Sequence, residues 1–393
     1  MPVWTAYNSE PVAFQYLAAP QRADVIVVGA GITGALVAAA VTAAGLSCVI
    51  VDRRPPAGGS TGASTALLQW EIDTPLTHLA DHIGFERARQ AWLRSFRAVD
   101  DLASLVRQLR IPCDFRERRA IYLAGDTLSA SALVEEGRWR RQIGLPSGYL
   151  DAPSLRSLAG LDREAALLSD RVADVDPSRL TKGLLRRAAA RRCRVYSPVQ
   201  IADVAPSSRK VAMATSEGLE LEARAVVFAT GYELADGVPS AGHRRSSTWA
   251  FATYPQPQAL WGCGELIWEA ADPYLYIRTT VDGRVVVGGE DEDIQNDKAR
   301  DALLPVKIGH LQEKTKRLLP WLDVSAEFAW AGTFGESETG LPSIGLVPGM
   351  PNCYAVLGYG GNGLTFGLVA AQIIRSFLTG QPDPDSGLFA FES

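Results

Sequence analysis

The clearest chemical signature in the chain is a glycine-rich turn between two apolar segments. Residues 25–34 read Val-Ile-Val-Val-Gly-Ala-Gly-Ile-Thr-Gly, and Asp52 ends a second apolar run 21 residues after Gly31. Gly29 permits a tight turn, Gly31 lets the backbone approach a pyrophosphate, and Gly34 permits close packing of helix on strand. An acid at this spacing is typical of one that hydrogen-bonds a ribose hydroxyl. The pattern predicts a dinucleotide-binding βαβ unit.

Three further segments carry groups that suit a cofactor containing phosphate. A loop of glycines and hydroxyl residues occupies 58–64, after Arg53 and Arg54. A strand-like segment over 224–231 ends in Ala-Thr-Gly, where small residues allow a bound dinucleotide to pass closely. Residues 357–367 are rich in glycine and lead into an apolar stretch of helical length, so their N–H groups favour negative charge. The last two segments favour FAD over NAD.

Together these segments resemble the D-amino-acid oxidase family of flavoproteins, which includes glycine oxidase, sarcosine oxidase and gamma-glutamylputrescine oxidoreductase. The resemblance rests on four stretches in the same order, namely 25–52, 58–64, 228–232, and 340–345 leading into 358–366. It implies an α/β and α+β fold in which a Rossmann-like FAD-binding domain is interleaved with a mixed β-sheet substrate domain. It also implies non-covalent FAD, because the chain has no cysteine where the sarcosine oxidase branch attaches its flavin.

The motifs and the resemblance together predict which residues bind the cofactor. They come from the glycine turn, the acid and the two arginines, the hydroxyl-rich loop, two strand ends and the C-terminal glycines. The set is Gly29, Gly31, Ile32, Thr33, Gly34, Asp52, Arg53, Arg54, Ser60, Thr61, Ala63, Ser64, Val199, Thr230, Gly231, Gly360, Gly361, Asn362, Gly363, Leu364 and Thr365. The backbone N–H groups of 360–363 are expected to stabilise negative charge on reduced flavin. The two arginines are expected to balance phosphate charge, and a solvated surface pair is the alternative.

On the substrate side the chain departs from the relatives it resembles. Amino-acid-oxidising members have an arginine before the Gly-Leu-Pro segment that binds the substrate carboxylate, and here 330–336 contain none. The sarcosine oxidase branch has a lysine where Thr365 stands. Arg278 is the remaining anchor for a carboxylate, because it shares one face of a predicted hairpin strand with Tyr274 and Tyr276. A structural arginine that ties the sheet to an acidic loop is the alternative.

Glu336 offers a different solution, since a carboxylate near the flavin would neutralise a cationic amine and no carboxylate grip would be needed. Trp70 and Tyr359 flank motifs expected near the flavin ring, although aromatic residues at such positions often belong to the core. The predicted catalytic and pocket residues are therefore Arg278, Tyr276, Glu336, Trp70 and Tyr359.

Composition narrows the class of protein further. A net charge of −5 without a long basic run predicts that the chain does not bind nucleic acid. Five dispersed cysteines predict reduced thiols in the cytoplasm. His78 and His82 lack a third ligand, so no metal site is predicted. No apolar run suits a membrane span, and the sequence carries no signal of oligomeric state.

The order of the motifs predicts two discontinuous domains in the 393 residues. The FAD-binding domain comprises 1–75, 165–240 and 338–393, and the substrate domain 76–164 and 241–337. The resemblance implies oxidation of a C–N bond in an amine or amino acid by hydride transfer to flavin N5, with oxygen or another acceptor reoxidising the flavin. One alternative is a flavoprotein whose FAD is structural and which acts as a subunit or binding partner. The other is an NAD(P)-dependent dehydrogenase.

Overall fold

A computed structural model describes residues 1–7, 9–239 and 242–391. Numbered along the chain, the strands are β1 (Gln21–Val28), β2 (Cys48–Val51), β3 (Leu67–Leu68), β4 (Arg116–Leu123), β5 (Ser147–Asp151), β6 (Ala165–Asp174), β7 (Arg194–Tyr196), β8 (Ile201–Pro206), β9 (Val211–Thr215), β10 (Glu220–Phe228), β11 (His243–Thr253), β12 (Leu266–Glu269), β13 (Leu275–Thr279), β14 (Val285–Glu292), β15 (Ala326–Ser337), β16 (Ser343–Leu346) and β17 (Cys353–Leu357). The helices are α1 (Ile32–Ala43), α2 (Ser60–Ala63), α3 (Leu76–Ile83), α4 (Phe85–Leu109), α5 (Ala130–Gln142), α6 (Ala152–Ala159), α7 (Pro177–Ala189), α8 (Asp297–Ala302), α9 (Leu304–Leu318) and α10 (Gly363–Thr379).

The first sheet contains the predicted dinucleotide-binding unit. Its path is β16-β17-β10-β1-β2-β7, and the pairs from β17 to β7 are parallel. Val25, Ile26 and Val27 are buried in the central strand, as expected for a strand covered on both faces. Helix α1 packs against α7 and α10 on one side of this sheet. The carboxyl ends of the parallel strands therefore meet at one edge, where α1 and α10 begin.

The second sheet is mixed and follows the path β15-β11-β14-β13-β12-β4-β6-β3, with β5 paired to β6. Most of its pairs are antiparallel, while β12 and β4 run parallel. The predicted hairpin is present as β13 and β14, in which Tyr276 faces Gly288 across the strands. A separate core that includes Trp249, Phe251 and Leu311 joins this sheet to α9. The two sheets confirm the predicted interleaved fold.

One domain boundary needs correction. The segment beginning at residue 165 was predicted to return to the FAD-binding domain, but it forms β6, which pairs with β4 and β5 of the second sheet. The return to the first domain is made by α7, which packs on α1. The choice between the two sheets depends on pairing with distant strands, which local patterning does not specify. None of the described helices is both long and apolar enough to cross a membrane.

Candidate active site

The predicted glycine turn has the tight geometry that its sequence requires. Gly29 has a φ of +116°, and a Cβ there would lie 2.3 Å from the carbonyl oxygen of Ala229. A Cβ on Gly34 would lie 1.9 Å from the carbonyl oxygen of Gly29. Neither position accommodates a side chain, so the turn holds α1 close against β1 and β10.

A cavity opens directly above this turn at the carboxyl edge of the first sheet, and we call it the glycine-lined cavity. Most of the predicted cofactor-binding residues line it. They are Gly29, Gly31, Ile32, Thr33, Asp52, Arg53, Arg54, Ser60, Thr61, Val199, Thr230 and Gly231. Gly34 is not on its surface, because its contribution is the close packing of helix on strand.

Asp52 stands at the end of β2, where its carboxylate spans the turn. One oxygen accepts the Ala30 N–H at 2.6 Å and the other accepts the Arg54 N–H at 2.7 Å. Burial raises the pKa of this carboxyl, and the two N–H donors oppose that shift. Each oxygen keeps a second lone pair, which suits the predicted hydrogen bond to a ribose hydroxyl.

Arg53 and Arg54 line the same cavity, but their guanidinium groups already have a partner. Both form ion pairs with Glu233, and the Arg54 Nη2 lies 2.6 Å from the Glu233 Oε1. Glu233 therefore offsets much of the positive charge that was expected to face phosphate. A phosphate role for either arginine stays a prediction.

The donors around the glycine-lined cavity fit a dinucleotide. The Thr230 Oγ1 is buried without a hydrogen-bond partner among the described residues, although it lies where the strand end meets the cavity. The Thr61 hydroxyl accepts the Ile32 N–H at 2.9 Å and so joins the hydroxyl-rich loop to the first turn of α1. The residues present thus offer a small-residue surface and an unused hydroxyl group beside a helix N-terminus.

A second cavity continues from the first, and we call it the acidic cavity. The two share Ile32, Ser60, Thr61 and Tyr359. The other lining residues that concern its chemistry are Ala63, Ser64, Gln69, Glu71, Asp73, Thr248, Trp268, Tyr274, Tyr276, Phe334, Gly360, Gly361, Asn362, Gly363 and Leu364. Among the residues that the structure describes, no lysine, arginine or histidine lines this cavity.

Two carboxyl groups, Asp73 in the lining of the acidic cavity and Asp291 next to it, have raised pKa values. Burial raises the pKa of Asp73 to about 6 and that of Asp291 to about 7. Negative charge on Glu336 adds to both shifts, whereas an N–H from Gly361, 2.9 Å from the Asp73 Oδ2, opposes the shift at Asp73. Asp291 also feels the charge of Asp73, so the two carboxyl groups are electrostatic neighbours.

Comparison with known proteins identifies the family. A sequence model described as FAD dependent oxidoreductase (DAO) matches residues 24–376. The chain belongs to this family of FAD-dependent oxidoreductases. Membership makes FAD the cofactor and sets aside both the NAD(P)-dependent dehydrogenase and the purely structural flavoprotein.

Solved structures share the whole fold at low sequence identity. Glycine oxidase from Geobacillus kaustophilus has a TM-score of 0.79 and 20% identity, with 94% of this chain and 98% of that chain covered. L-amino acid deaminase from Proteus myxofaciens, in complex with anthranilate, has a TM-score of 0.78 and 16% identity, with 98% and 97% covered.

Curated relatives differ in how much of their own length this chain covers. The probable oxidoreductase OrdL of Haemophilus influenzae is 20% identical over 404 residues, which cover 98% of this chain and 89% of that protein. The putative Rieske 2Fe-2S iron-sulfur protein YhfW of Bacillus subtilis is 22% identical over 235 residues, or 60% of this chain and 45% of that protein. The chain thus spans less than half of the length of YhfW.

The C-terminal glycines of this oxidoreductase line the acidic cavity, but most of the N–H donors expected to face flavin are engaged. The Gly360 N–H binds the Gly335 carbonyl, the Gly361 N–H binds Asp73, and the Asn362 N–H binds the Tyr359 carbonyl. The expectation that these three amides face flavin therefore needs correction. The amides left for an anion are those of Gly363, Leu364 and Thr365, in the first turn of α10, before the internal helix bonds begin.

Thr365 itself holds two segments together and does not line the acidic cavity. Its hydroxyl is buried and donates to the Gln69 carbonyl at 2.7 Å. The Asn362 side chain similarly donates to the Glu71 carbonyl at 2.8 Å. These two bonds dock the start of α10 against the segment that follows β3.

Trp70 is the first predicted pocket residue that the structure places elsewhere. The segment after β3 alternates, so that Gln69, Glu71 and Asp73 face the cavity while Trp70 and its apolar neighbours turn into the core. The Trp70 ring is fully buried, and its Nε1 donates to the Asp170 carbonyl at 2.8 Å. The alternating polar residues were visible in the sequence, and that period of two was the signal that could have identified Asp73.

Arg278 is the second correction, because its guanidinium lies beneath the cavity and is saturated. Its Nη1 donates to the carbonyl oxygens of Thr65, Ala66 and Val175 at 3.1, 2.9 and 2.8 Å. Its Nη2 lies 3.5 Å from an Asp174 oxygen. The arginine is structural, as the alternative held, but it ties the β3 region to the second sheet and does not contact the acidic loop.

The remaining predicted pocket residues reach the cavity to different degrees. Tyr276 and Tyr359 line it. Glu336 is next to it but is not part of its lining, because its carboxylate binds the Ser246 hydroxyl and pairs with Arg244 at 3.0 Å. An acceptor role for a substrate amine at Glu336 would have to displace these partners.

The sequence did not indicate that Asp291 lies near the cavity, because a β-bulge determines the direction of its side chain. Opposite β11, Trp249 pairs with Gly289 and Ser247 with Glu292, so β14 contains one residue more than its partner between these pairs. Glu290 adopts a φ of +61° at this bulge. A bulge reverses the facing of the residues that follow, and a period of two read from the sequence then gives the wrong face.

Proposed function

We propose that this protein oxidises a C–N bond of an amine or amino acid by hydride transfer to flavin N5. The carrying observation is the continuity of the two cavities through Ile32, Ser60 and Thr61. A cofactor bound along the glycine-lined cavity would extend toward an aromatic space suited to a small molecule. The fold supports the same class of reaction, since its neighbours include glycine oxidase, L-amino acid deaminase and an iminodiacetate oxidase from Chelativorans sp. BNC1.

FAD, when bound, supplies the two-electron acceptor for this reaction. The chain's own task is to bind and orient the substrate, to exclude water and to accept a proton. Trp268, Tyr274 and Tyr276 form apolar walls that limit the entry of water. The first-turn amides of α10 place the positive end of a helix dipole at the cavity, where negative charge is favoured.

We further propose that FAD is held without a covalent bond and that the protein works in the cytoplasm. No cysteine among the described residues lines either cavity, which supports non-covalent binding. All five cysteines are free thiols, which is typical of a reducing compartment. Oxygen or another acceptor would then reoxidise the flavin.

Anaerobic reduction of the bound flavin tests the proposed reaction. We expect that at least one member of a panel of amines and amino acids bleaches the oxidised-flavin absorbance without oxygen. We also expect that air or an added acceptor restores the absorbance, with release of a carbonyl product. Dithionite provides the control, because it reduces the flavin whether or not a substrate fits. A flavin that dithionite reduces but no amine or amino acid reduces would contradict the proposal.

A further inference from the structure

The charge of the acidic cavity is not balanced by the protein. Glu71 has a buried partner, since the Arg140 Nη1 lies 3.3 Å from its Oε1 behind the cavity wall. Asp73 has the Gly361 N–H, and no basic side chain of the described residues lies within ion-pair distance of it. Asp73 is accessible to solvent at this cavity, and a carboxylate there without a basic partner is expected to attract a cation from outside the protein.

Asp291 is a second carboxylate without a counter-ion. Its Oδ1 is buried and has no hydrogen-bond partner among the described residues. The nearby lysines are engaged by other carboxylates, because Lys307 lies 3.4 Å from Glu290 and also pairs with Glu292, while Lys314 pairs with Glu290. Asp291 does not itself line the cavity, but its carboxylate is hydrogen-bonded to the hydroxyl groups of Thr248 and Tyr274, which do line it.

Aromatic rings surround the space between these carboxylates. The Tyr274 and Tyr276 rings lie 5.4 Å apart, and Trp268 stacks on Tyr122 at 3.9 Å. The Trp268 Nε1 is buried without a partner among the described residues. Carboxylates combined with the faces of tyrosine and tryptophan are the groups that recognise ammonium cations.

We propose, on the basis of the function proposed above, that the substrate is a cationic amine without a carboxylate, attracted by the charge of Asp73 in the aromatic cavity and of Asp291 next to it. A substrate carboxylate would meet Glu71 and Asp73 and no basic side chain of the described residues in this cavity, because the amides at the start of α10 are assigned above to the charge of the reduced flavin. Such a repulsive arrangement is how a site rejects a related compound. The site therefore favours amines over amino acids. This preference is the opposite of that in an amino-acid oxidase, where an arginine binds the substrate carboxylate.

The same arrangement gives the substrate's proton a destination. An ammonium group that binds as the cation transfers one N–H proton to a carboxylate, which leaves a lone pair on nitrogen. The α C–H bond then breaks with its electron pair, which leaves as hydride to FAD, and the nitrogen lone pair forms the C=N bond. Water hydrolyses the resulting iminium to a carbonyl compound and an ammonium ion.

Matched substrate pairs test the selection directly. Each pair contains an amino acid and the amine that differs from it only by the loss of the carboxylate, for example phenylalanine with phenethylamine and ornithine with putrescine. In anaerobic stopped-flow experiments with the holoenzyme, we expect the amine of at least one pair to reduce flavin about 30-fold faster or more, the effect of an unpaired buried charge. Faster reduction by the amino acid would overturn the inference.

Ligand binding without turnover gives a second readout. Benzyltrimethylammonium has no nitrogen lone pair and is not oxidised, so its perturbation of the flavin spectrum reports binding alone. We expect Asp73→Asn and Asp291→Asn each to weaken this binding about tenfold or more. Asp162→Asn is the matched control, because Asp162 is exposed and, among the described residues, pairs with Arg156 alone. Equal binding by both cavity variants and the control would overturn the inference.

The two proposals can fail separately. If amino acids reduce the flavin and their matched amines do not, C–N oxidation stands and the inference about substrate class falls. If benzyltrimethylammonium binds through Asp73 and Asp291 but no amine reduces the flavin, the cation site stands and the proposed reaction falls. Stronger binding of benzoate than of the quaternary cation would count against the cation site.

Discussion

The two cavities of this oxidoreductase are built in different ways. The glycine-lined cavity depends on backbone geometry, since a Cβ on Gly29 or Gly34 would overlap a carbonyl oxygen. The acidic cavity depends on side chains that separated segments contribute, with Asp73 after β3, Tyr276 on β13 and Phe334 on β15. We propose that the first holds FAD, the cofactor of the family, and that the second holds the substrate.

This difference explains what each cavity reveals about function. Backbone geometry that only glycine permits points to the cofactor, because any nucleotide of this type needs the same close approach. We infer the charge of the substrate from the charge of the second cavity, because the described residues place no basic side chain there to neutralise its carboxylates. Breaking the first cavity should therefore remove the cofactor, while changes to the second should alter the choice of ligand.

The largest effect is expected from Gly34→Ala. The new methyl group would lie 1.9 Å from the Gly29 carbonyl oxygen, so α1 must move away from β1. We expect loss of flavin binding and a decrease of about 3 kcal/mol or more in the free energy of unfolding. Flavin content after desalting and chemical denaturation measure the two effects.

Gly309→Ala is the matched control for that prediction. Gly309 also lies in a helix, but a Cβ there would meet no atom within 4 Å. We expect unchanged flavin content and a gain of about 0.4–1 kcal/mol, because alanine reduces the entropy of the unfolded chain. If the two variants behave alike, close packing at Gly34 does not hold the cofactor site.

The difference between the two cavities also explains which of their features could be predicted from the sequence. The βαβ unit was predictable because its glycines, strand and acid lie within about 30 consecutive residues and obey local geometry. The C-terminal glycines line the acidic cavity, yet Gly335 and Asp73, both distant in sequence, accept hydrogen bonds from two of the amides assigned to flavin. The direction of the Asp291 side chain depends on a β-bulge, and the domain to which β6 belongs depends on the sheet in which it pairs. Pairing and burial of this kind are set by the folded chain and leave no local pattern.

An intermediate effect on stability is expected from Arg278→Met. The change leaves the carbonyl groups of Thr65, Ala66 and Val175 without their shared donor and removes one partner of Asp174. We expect the free energy of unfolding to fall by about 3–5 kcal/mol, as for loss of one member of a buried charged network. Denaturant unfolding of the holoprotein measures the change.

The kinetic part of this experiment separates structure from substrate binding. The folded fraction of Arg278→Met should keep the KM of the wild type for its best amine, since the guanidinium does not line the acidic cavity. Arg224→Met is the control, because Arg224 is exposed and should affect neither property. Normal stability together with a raised KM for carboxylate substrates would restore Arg278 as a substrate anchor.

The smallest effect is a pH dependence confined to the acidic cavity. The raised pKa values, about 6 for Asp73 and about 7 for Asp291, mean that both groups are protonated below this window in the free protein. Beyond burial, the charge of Glu336 raises both pKa values and the charge of Asp73 raises that of Asp291, and the described residues place no basic side chain in the cavity to oppose these effects.

The sign follows from which state holds the protons. Between the unfolded pKa of 3.8 and the raised folded pKa values, the folded chain binds more protons than the unfolded chain, so these groups contribute less stability as pH rises.

A bound cation reverses this loss because it stabilises the ionised forms. Benzyltrimethylammonium should therefore bind about tenfold more tightly, and raise Tm by more, at about pH 8 than at about pH 5. Asp162→Asn should keep this dependence, and the double variant Asp73→Asn, Asp291→Asn should lose it. Because the quaternary cation does not titrate, a pH-independent Tm shift in the wild type would mean that neither carboxyl group receives the charge.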